Sequence, residues 1–223
     1  MNSEGAWQRI RFADRRDAGR RLGERLLPFA YENPLVIGLP RGGVPVAREV
    51  AVALRAPLDF LAVRKLGAPH NPEYGIGAVA EGGVRLIDSE AIAILGLSNG
   101  VVDQIAARET VELERRAALY RDDRPPLNLV GHTAIVVDDG VATGLTDAAA
   151  LRALRRMRPS RLVLAVPVCP PDSARRLREE ADEAIALQQP PRFFGVGQFY
   201  EDFTQVTDEE VVSTLAEFGH AAV

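Results

Sequence analysis

Residues Ala134-Ile-Val-Val-Asp-Asp-Gly-Val-Ala-Thr-Gly-Leu-Thr146 decide the fold of this chain. Four apolar residues lead into two adjacent carboxylates, Asp138 and Asp139, and then into a short loop of small and hydroxyl residues. A helical pattern over residues 147–157 follows at once. A strand that passes through such a loop into a helix presents backbone N–H groups to an anion at the helix N-terminus. The stretch therefore predicts an α/β unit with a phosphate site.

The two carboxylates indicate what kind of phosphate this site would bind. They lie beside the predicted phosphate position, where they could accept hydrogen bonds from sugar hydroxyls. A ribose 5-phosphate fits such a site, whereas a bare phosphate would gain nothing from the acids. The chain has no G-x-x-x-x-G-K-[ST], and no G-x-G-x-x-G follows an early strand, which excludes two competing phosphate motifs. The alternative interpretation is an ordinary strand end with an Asx-rich turn and a helix cap.

The segment from Ile135 to Thr146 resembles the phosphoribosyl pyrophosphate (PRPP) signature of type I phosphoribosyltransferases. The resemblance implies that Asp138 and Asp139 are catalytic and hold the ribose hydroxyls. It also implies Mg²⁺ as cofactor, bound by these two acids mainly through the hydroxyls or through water. The residues expected to bind the 5-phosphate are Ala142, Thr143, Gly144, Leu145 and Thr146.

Two further loops follow neighbouring predicted strands and supply candidates for binding pyrophosphate. Pro40-Arg-Gly-Gly43 comes after the strand 35–39, and its glycines let the backbone approach an anion closely. Arg64-Lys65 comes after the strand 58–63 and opens a Gly- and Pro-rich stretch that predicts a mobile loop. The alternatives are a tight turn and a solvated charge pair. The expected pyrophosphate ligands are Arg41, Gly42, Gly43, Arg64 and Lys65, of which Arg41 and Lys65 are also predicted to be catalytic.

Along the chain, segments with the apolar spacing of a strand alternate with segments that have the apolar spacing of a helix. Helices are predicted over 14–30, 44–54, 89–95, 101–120, 147–157, 172–181 and 208–218, and strands over 35–39, 58–63, 77–81, 84–87, 134–137, 161–166 and 183–187. This alternation predicts a parallel sheet flanked by helices, with ligands at the carboxyl ends of the strands. The resemblance adds a small hood, built from terminal and inserted segments, and a flexible loop. With no convincing boundary, we expect one domain over 1–223.

Composition narrows the classes of protein to consider. The chain has 223 residues with a net charge of −4, so no basic field favours nucleic acid or an anionic membrane. It shows neither a signal-peptide pattern nor an apolar run long enough to span a bilayer. Its single cysteine, Cys169, excludes internal disulfides and a cysteine metal cage, and the cytoplasm is the expected compartment. Lys65 is its only lysine.

The resemblance extends to a group of uncharacterised, mainly bacterial, predicted phosphoribosyltransferases. The supporting stretches are Phe12-Ala-Asp-Arg-Arg-Asp-Ala-Gly19, Gly38-Leu-Pro-Arg-Gly-Gly-Val-Pro45, Val63-Arg-Lys-Leu-Gly67, Asn71-Pro-Glu-Tyr-Gly-Ile-Gly-Ala-Val-Ala-Glu81 and Val196-Gly-Gln-Phe-Tyr-Glu-Asp-Phe203. It implies Mg²⁺-dependent transfer of ribose 5-phosphate from PRPP to a small-molecule acceptor, a nitrogenous base, with release of pyrophosphate. Related folds are commonly dimers, so a homodimer is the oligomer that the resemblance suggests.

One position departs from the pattern of purine-salvage relatives, which often carry an acid where this chain has Ala142. An alanine cannot assist deprotonation of the acceptor, which leaves Glu73, Glu81 or His70 as alternative bases. The aromatic tail over 193–203 could stack on a flat base or belong to the core. Two other functions remain open: a PRPP- or nucleotide-sensing regulator without turnover, and a hydrolase or phosphorolytic enzyme that uses the same site differently.

Overall fold

The computed structural model describes residues 11–218, which contain two β-sheets flanked by helices. The strands are β1 (Pro34–Gly38), β2 (Leu58–Phe60), β3 (Val63–Ala68), β4 (Asn71–Ala80), β5 (Val84–Ile87), β6 (Thr133–Val137), β7 (Arg161–Val168) and β8 (Glu183–Gln188). The α-helices are α1 (Arg15–Leu26), α2 (Gly43–Leu54), α3 (Ser89–Leu95), α4 (Asn99–Arg121), α5 (Leu145–Arg156), α6 (Pro171–Leu177) and α7 (Asp208–Ala216). Two 3₁₀ helices span Leu27–Tyr31 and Val196–Phe199.

The larger sheet is parallel, with strand order β2-β1-β6-β7-β8. All residues of β1 and β6 are buried, as a strand covered on both faces by helices requires. Alternate side chains enter separate cores: Val36 packs with residues of α1, α2 and α7, whereas Ile37 packs with residues of α5 and α6. The predicted parallel sheet between helix layers is confirmed.

The parallel register places three strand ends side by side. Gly38, at the end of β1, pairs with Val137 of β6 on one side and with Phe60 of β2 on the other. The segments that follow these residues therefore leave the sheet at the same edge. Because the signature loop follows β6 and the Pro40–Gly43 loop follows β1, the fold brings the two predicted anion loops together.

The segment 64–74 differs from its expected irregular loop. It belongs to an antiparallel hairpin in which β3 pairs with β4, and β4 in turn pairs with β5. The register shifts around Gly67, where an added Cβ would lie 2.5 Å from the carbonyl oxygen of Pro72. Glycine thus allows the two strands to approach at an irregularity, and the composition that predicted a loop marks bulges in a strand pair.

Several predicted elements are also shorter than expected, among them the helices over 172–181 and 208–218, which end at Leu177 and Ala216. The strand predicted over 58–63 ends at Phe60, and β3 begins at Val63 in the smaller sheet. The helix predicted over 14–30 ends at Leu26 and continues as a 3₁₀ helix containing Pro28, which lacks the N–H that a further α-turn would use. Across residues 11–218, none of the helices has the length and apolarity needed to cross a membrane.

Candidate active site

The signature loop connects β6 to α5 and shapes a potential anion cradle. The N–H of Asp139 donates to Oδ1 of Asp138 at 2.8 Å, which fixes the first acid at the strand end. Gly144 caps α5 with φ +78°, a left-handed conformation that glycine adopts without steric cost. The first N–H groups of α5 have no partner within the helix, so they are available to an anion beside the exposed residues Ala142 and Thr143.

Helix α6 packs behind this loop. Ser173 is buried, and its Oγ donates to the carbonyl oxygen of Ala142 at 2.6 Å. Nη2 of Arg176 donates to the carbonyl oxygen of Thr143 at 2.9 Å. A Cβ added at Gly144 would lie 3.2 Å from Cδ1 of Leu177. The sequence pattern identified α6 as a helix but gave no sign that it supports the loop.

The Pro40–Gly43 loop is in direct contact with the signature acids. A Cβ added at Gly43 would lie 2.6 Å from the carbonyl oxygen of Val137 and 2.9 Å from Cα of Asp138. A Cβ added at Gly42 would meet Oδ2 of Asp139 at 1.9 Å. The Pro40–Arg41 peptide bond is cis. The paired glycines therefore allow a close approach between the loops that any side chain would block.

Arg41 directs its guanidinium toward the C-terminal helix. Its Nη1 lies 3.7 Å from Oδ1 of Asp208, the first residue of α7. The pKa of Asp208 is lowered, chiefly because its carboxylate accepts a hydrogen bond from the hydroxyl of Tyr120, with a smaller contribution from the charge of Arg41. The role of Arg41 in binding pyrophosphate stays a prediction, and it would require the side chain to exchange this partner for the ligand.

The side chains of Arg64 and Lys65 point to opposite faces of β3, because consecutive residues of a strand alternate. Arg64 forms an ion pair with Glu109 of α4, through Nε at 3.1 Å. The Lys65 stem lies toward the signature helix, because a Cβ added at Gly75 would be 3.6 Å from both Cδ of Lys65 and Cδ1 of Leu145. Of the two basic residues, Lys65 is therefore the one placed beside the predicted phosphate loop.

Asp139 is held by two segments that we call the hood, residues 12–15 and 196–204. Nε of Arg15 donates to Oδ2 of Asp139 at 2.8 Å, and its Nη1 donates to the carbonyl oxygen of Thr204 at 2.7 Å. The Arg15 guanidinium also lies 3.9 Å above the ring of Phe203. The hydroxyl of Tyr200 donates to the carbonyl oxygen of Asp139 at 2.6 Å. The resemblance implied a hood, but the sequence did not identify Arg15 as a site residue and offered Tyr200 only as one of several possible stacking aromatics.

Burial dominates the electrostatics of the acids. It raises the pKa of Asp138 well above its ordinary value, and the charges of Asp139 and Asp147 add to this effect. Burial also raises the pKa of Asp139, although the adjacent Arg15 counteracts it. The site without ligand thus resists carrying several negative charges at once, and a bound cation would relieve that repulsion.

Asp147, in the first turn of α5, is buried, and its Oδ1 has no hydrogen-bond partner within the described chain. Burial raises its pKa from 3.8 to about 7, so a large share of the group stays protonated in the folded protein at neutral pH. The folded state then holds a proton that the unfolded state has lost between about pH 4 and pH 7. The stability contributed by this group is complete below the lower value and decreases as pH rises toward the higher one.

We expect Asp147→Asn to remove this pH dependence. The variant should match the wild type near pH 4 and exceed its free energy of unfolding by about 1–4 kcal/mol at pH 8. Denaturant unfolding of both proteins from pH 4 to pH 8 measures the difference. Asp172→Asn, at a side chain 86% exposed, is the control and should show no such divergence. Parallel pH profiles for Asp147→Asn and the wild type would contradict the expectation.

The candidate general bases and the single cysteine lie in different environments. Glu81 is partly buried, and burial raises its pKa, while Arg121 lies 3.9 Å away. His70 is exposed at the tip of the β3–β4 hairpin, and the side chain of Glu73 lies outside the described residues. Burial raises the pKa of Cys169 to about 12, so its thiol is protonated at neutral pH.

The aromatic tail divides between core and surface. Phe199 and Tyr200 are buried, and Phe193 stacks on Phe199 with 5.7 Å between ring centroids. Phe194 is 88% exposed and Phe203 is 37% exposed. The interpretation of these aromatics as core therefore holds for the buried pair, and Phe203 contributes to the site by supporting Arg15.

The acids suit Mg²⁺ bound chiefly through substrate and water. Asp138 and Asp139 offer hard carboxylate oxygens, the ligand type that Mg²⁺ prefers. In the part of the chain that the structure describes, no three or more histidine, cysteine or acidic side chains converge on a common metal position. A pair of acids without a protein cage fits an ion that keeps several waters and is shared with phosphates.

A protein-family model, that of the phosphoribosyl transferase domain, matches residues 14–203 of the sequence. These residues include both anion loops and most of the hood. The chain belongs to the phosphoribosyltransferase family. This finding confirms the resemblance carried by residues 135–146 and identifies the chain as a member of an enzyme family. The match ends before α7, so the ion pair between Arg41 and Asp208 joins the matched region to a helix outside it.

Proteins and structures related to this chain extend the comparison. It is 46% identical over 204 residues to MT0597 and to Rv0571c of Mycobacterium tuberculosis, both provisionally named phosphoribosyl transferase. The aligned part is 92% of this chain but 46% of each relative, so the chain spans about half the length of these curated relatives.

Solved structures show the same architecture. TT1426 from Thermus thermophilus, known from a crystal structure, is 45% identical to this chain with a TM-score of 0.77, and the match covers 94% of this chain and 99% of TT1426. AQ2163 from Aquifex aeolicus is 14% identical, with a TM-score of 0.52, 82% of this chain covered and 78% of its own, and shares the fold alone.

Proposed function

We propose that this phosphoribosyltransferase transfers ribose 5-phosphate from PRPP to a nitrogenous base acceptor and releases pyrophosphate, with Mg²⁺ as cofactor. The observation that carries the proposal is the direct contact between the two anion loops. Gly42 and Gly43 touch Asp139, Val137 and Asp138 where two parallel strands end. A ligand that spans both loops needs phosphate groups at each end of a hydroxyl-bearing sugar, which describes PRPP.

In the proposed reaction, some residues position the substrate and others stabilise the charge that develops. The bond from ribose C1 to a pyrophosphate oxygen breaks with its electrons leaving on that oxygen, while a lone pair of the acceptor nitrogen forms the new bond to C1. Asp138 and Asp139 would orient the ribose through its hydroxyls. The Gly42 amide and the Lys65 ammonium would stabilise the negative charge on the departing group. The Gly43 N–H already donates to the carbonyl oxygen of Leu39 at 3.0 Å, so Gly43 would contribute by allowing the close approach of the loop. When bound, Mg²⁺ would supply further charge neutralisation at the phosphates.

The signature loop would hold the 5-phosphate through the N–H groups at the start of α5. Thr143 and Thr146 add hydroxyl donors, and the alanine at position 142 provides no carboxylate at that point of the loop. The acceptor would therefore give its proton to solvent, to a phosphate oxygen or to another base such as Glu73, Glu81 or His70, or carry no proton on the attacking nitrogen. This limits the chemistry to acceptors whose nitrogen is nucleophilic without help from residue 142.

The proposal also covers the domain organisation, compartment, partners and oligomeric state of the protein. We propose one catalytic domain over 1–223 that acts in the cytoplasm in nucleotide or related metabolism. Its partners would be PRPP and the acceptor, without nucleic acid or membrane, and the assembly would be a homodimer. The net charge of −4 supports a small-molecule substrate, because it offers no extended basic surface to a polyanion.

Incubation with PRPP, Mg²⁺ and a panel of purines, pyrimidines and other nitrogenous bases tests the proposal, with pyrophosphate release as the readout. Release that depends on one acceptor, with a matching nucleotide product, is the expected result. Release without any acceptor would indicate a hydrolase. Saturable PRPP binding without product would indicate a sensing protein, and absence of PRPP binding would contradict the ribose assignment itself.

A further inference from the structure

The rear of the signature loop is held by two side chains that the proposed chemistry does not use. Ser173 and Arg176 of α6 donate hydrogen bonds to the carbonyl oxygens of Ala142 and Thr143, respectively. Ser173 is 4% exposed, so its hydroxyl is not competing with bulk water for the carbonyl. These residues lie three positions apart, the spacing that places side chains on one face of a helix. Helix α6 therefore presents a matched pair of donors to consecutive peptide groups.

This contact fixes the direction of the loop amides. In a trans peptide the C=O and the following N–H point in opposite directions, and within residues 11–218 the one cis peptide is Pro40–Arg41. Because the Ala142 carbonyl faces Ser173, the N–H of Thr143 faces away from α6. The N–H of Gly144 is likewise turned away from Arg176. Both amides thus point to the opposite side of the loop from the helix that supports it.

We infer that Ser173 and Arg176 are positioning residues for the 5-phosphate subsite, an inference that rests on the proposed function. They hold two peptide groups so that their N–H ends face the phosphate. A peptide group freed from either donor can rotate and offer its carbonyl oxygen, which repels an anion instead of binding it. Preorganised amides avoid that reorientation when the ligand binds.

The neighbour Arg175 provides a matched control. It carries the same charge on the same short helix, is 75% exposed at its side chain, and pairs with Asp172 at 3.4 Å. Replacing Arg175 changes the net charge near the site to the same extent as replacing Arg176. A difference in ligand affinity between the Arg175 and Arg176 variants then measures the effect of the hydrogen bond to Thr143. It cannot be explained by the loss of one positive charge, which both variants share.

The test is calorimetric titration of ribose 5-phosphate and of Mg²⁺-pyrophosphate into the wild type and into Ser173→Ala, Arg176→Ala, Arg176→Lys and Arg175→Ala. We expect Ser173→Ala and Arg176→Ala each to raise the Kd for ribose 5-phosphate about tenfold, the effect of losing one hydrogen bond. Pyrophosphate affinity should change by less than about twofold, since its proposed loop follows another strand. Arg176→Lys keeps a donor and should recover part of the loss, and Arg175→Ala should match the wild type.

Steady-state kinetics separate positioning from a structural role. The KM for PRPP should rise in both alanine variants while kcat changes less, because the reacting bond lies at the other end of the ribose. Equal losses for ribose 5-phosphate and pyrophosphate, or wild-type affinity for ribose 5-phosphate in Arg176→Ala, would overturn the inference and leave the proposed function standing. If the wild type binds neither PRPP nor ribose 5-phosphate, the proposed function fails and this inference fails with it. Since Arg176 is exposed, its variants decide the question even if Ser173→Ala folds poorly.

Discussion

Replacing both signature acids, Asp138→Asn together with Asp139→Asn, should weaken Mg²⁺-dependent PRPP binding by roughly a hundredfold to ten-thousandfold. Each carboxylate would lose a charge-assisted hydrogen bond to a ribose hydroxyl, worth about 1.5–3 kcal/mol, or about 3–6 kcal/mol for the pair. The fold should survive, because burial already raises the pKa of both groups and an amide oxygen can still accept the N–H of Arg15. Titration of PRPP in the presence of Mg²⁺ measures the effect.

A second pair of adjacent aspartates offers the control for this experiment. Asp122 and Asp123 are exposed in the polar link after α4, and asparagine keeps the shape of each side chain. Asp122→Asn with Asp123→Asn removes the same charge and should leave PRPP affinity unchanged. If the signature double variant folds normally and binds PRPP as tightly as this control, the ribose assignment of Asp138 and Asp139 is wrong.

Gly43→Ala should be the most damaging single substitution in the Pro40–Gly43 loop. The added Cβ would meet the carbonyl oxygen of Val137 at 2.6 Å and Cα of Asp138 at 2.9 Å. Both contacts are with backbone atoms of a buried strand end, so the loop itself must move. Overpacking of this kind costs about 1–3 kcal/mol of stability. A displacement near 1 Å can cost about a hundredfold in catalysis, and we expect a loss of that order in kcat/KM for PRPP.

Gly100→Ala is the matched comparison for the Gly43 variant. Gly100 lies near the start of α4, where an added Cβ would meet nothing within 4 Å. Alanine in a helix is favoured over glycine by about 0.5–1 kcal/mol, so this variant should be slightly more stable than the wild type. Thermal unfolding and steady-state kinetics on both variants measure the contrast. Wild-type kinetics in Gly43→Ala would show that the contact between the loops does not matter for function.

The central sheet and the signature site could be predicted because local patterns determine them. Four apolar residues before Asp138 required a buried strand, and the small residues after it required a loop that leads into α5. Parallel strands then fix which loops meet, so the proximity of Gly43 to the signature acids followed from topology. The contact distances confirm that proximity, whereas the ligands of these loops remain proposals.

The β3–β4 hairpin was not predicted because the intrinsic preferences of its residues do not determine its structure. Glycines and prolines in 64–74 lower the intrinsic preference for a strand, yet pairing between β3 and β4 and packing on α5 overcome it. Once β3 is known to be a strand, the opposite directions of Arg64 and Lys65 follow from alternation. The same limit applies to Arg15, which lies 124 positions before its partner Asp139 and carries no local sign of that contact.

The span of the hood contacts has a consequence for biosynthesis. Arg15 and Thr204 are separated by 189 positions, so a growing polypeptide completes the helix that begins at Arg15 long before Thr204 is translated. Until that residue clears the ribosomal tunnel, Asp139 lacks its hood contacts with Arg15 and Tyr200 in their final arrangement. The strands through β8 are therefore translated before residues 196–204, so the ligand site closes after the sheet can form, as expected for contacts with large loop-closure entropy.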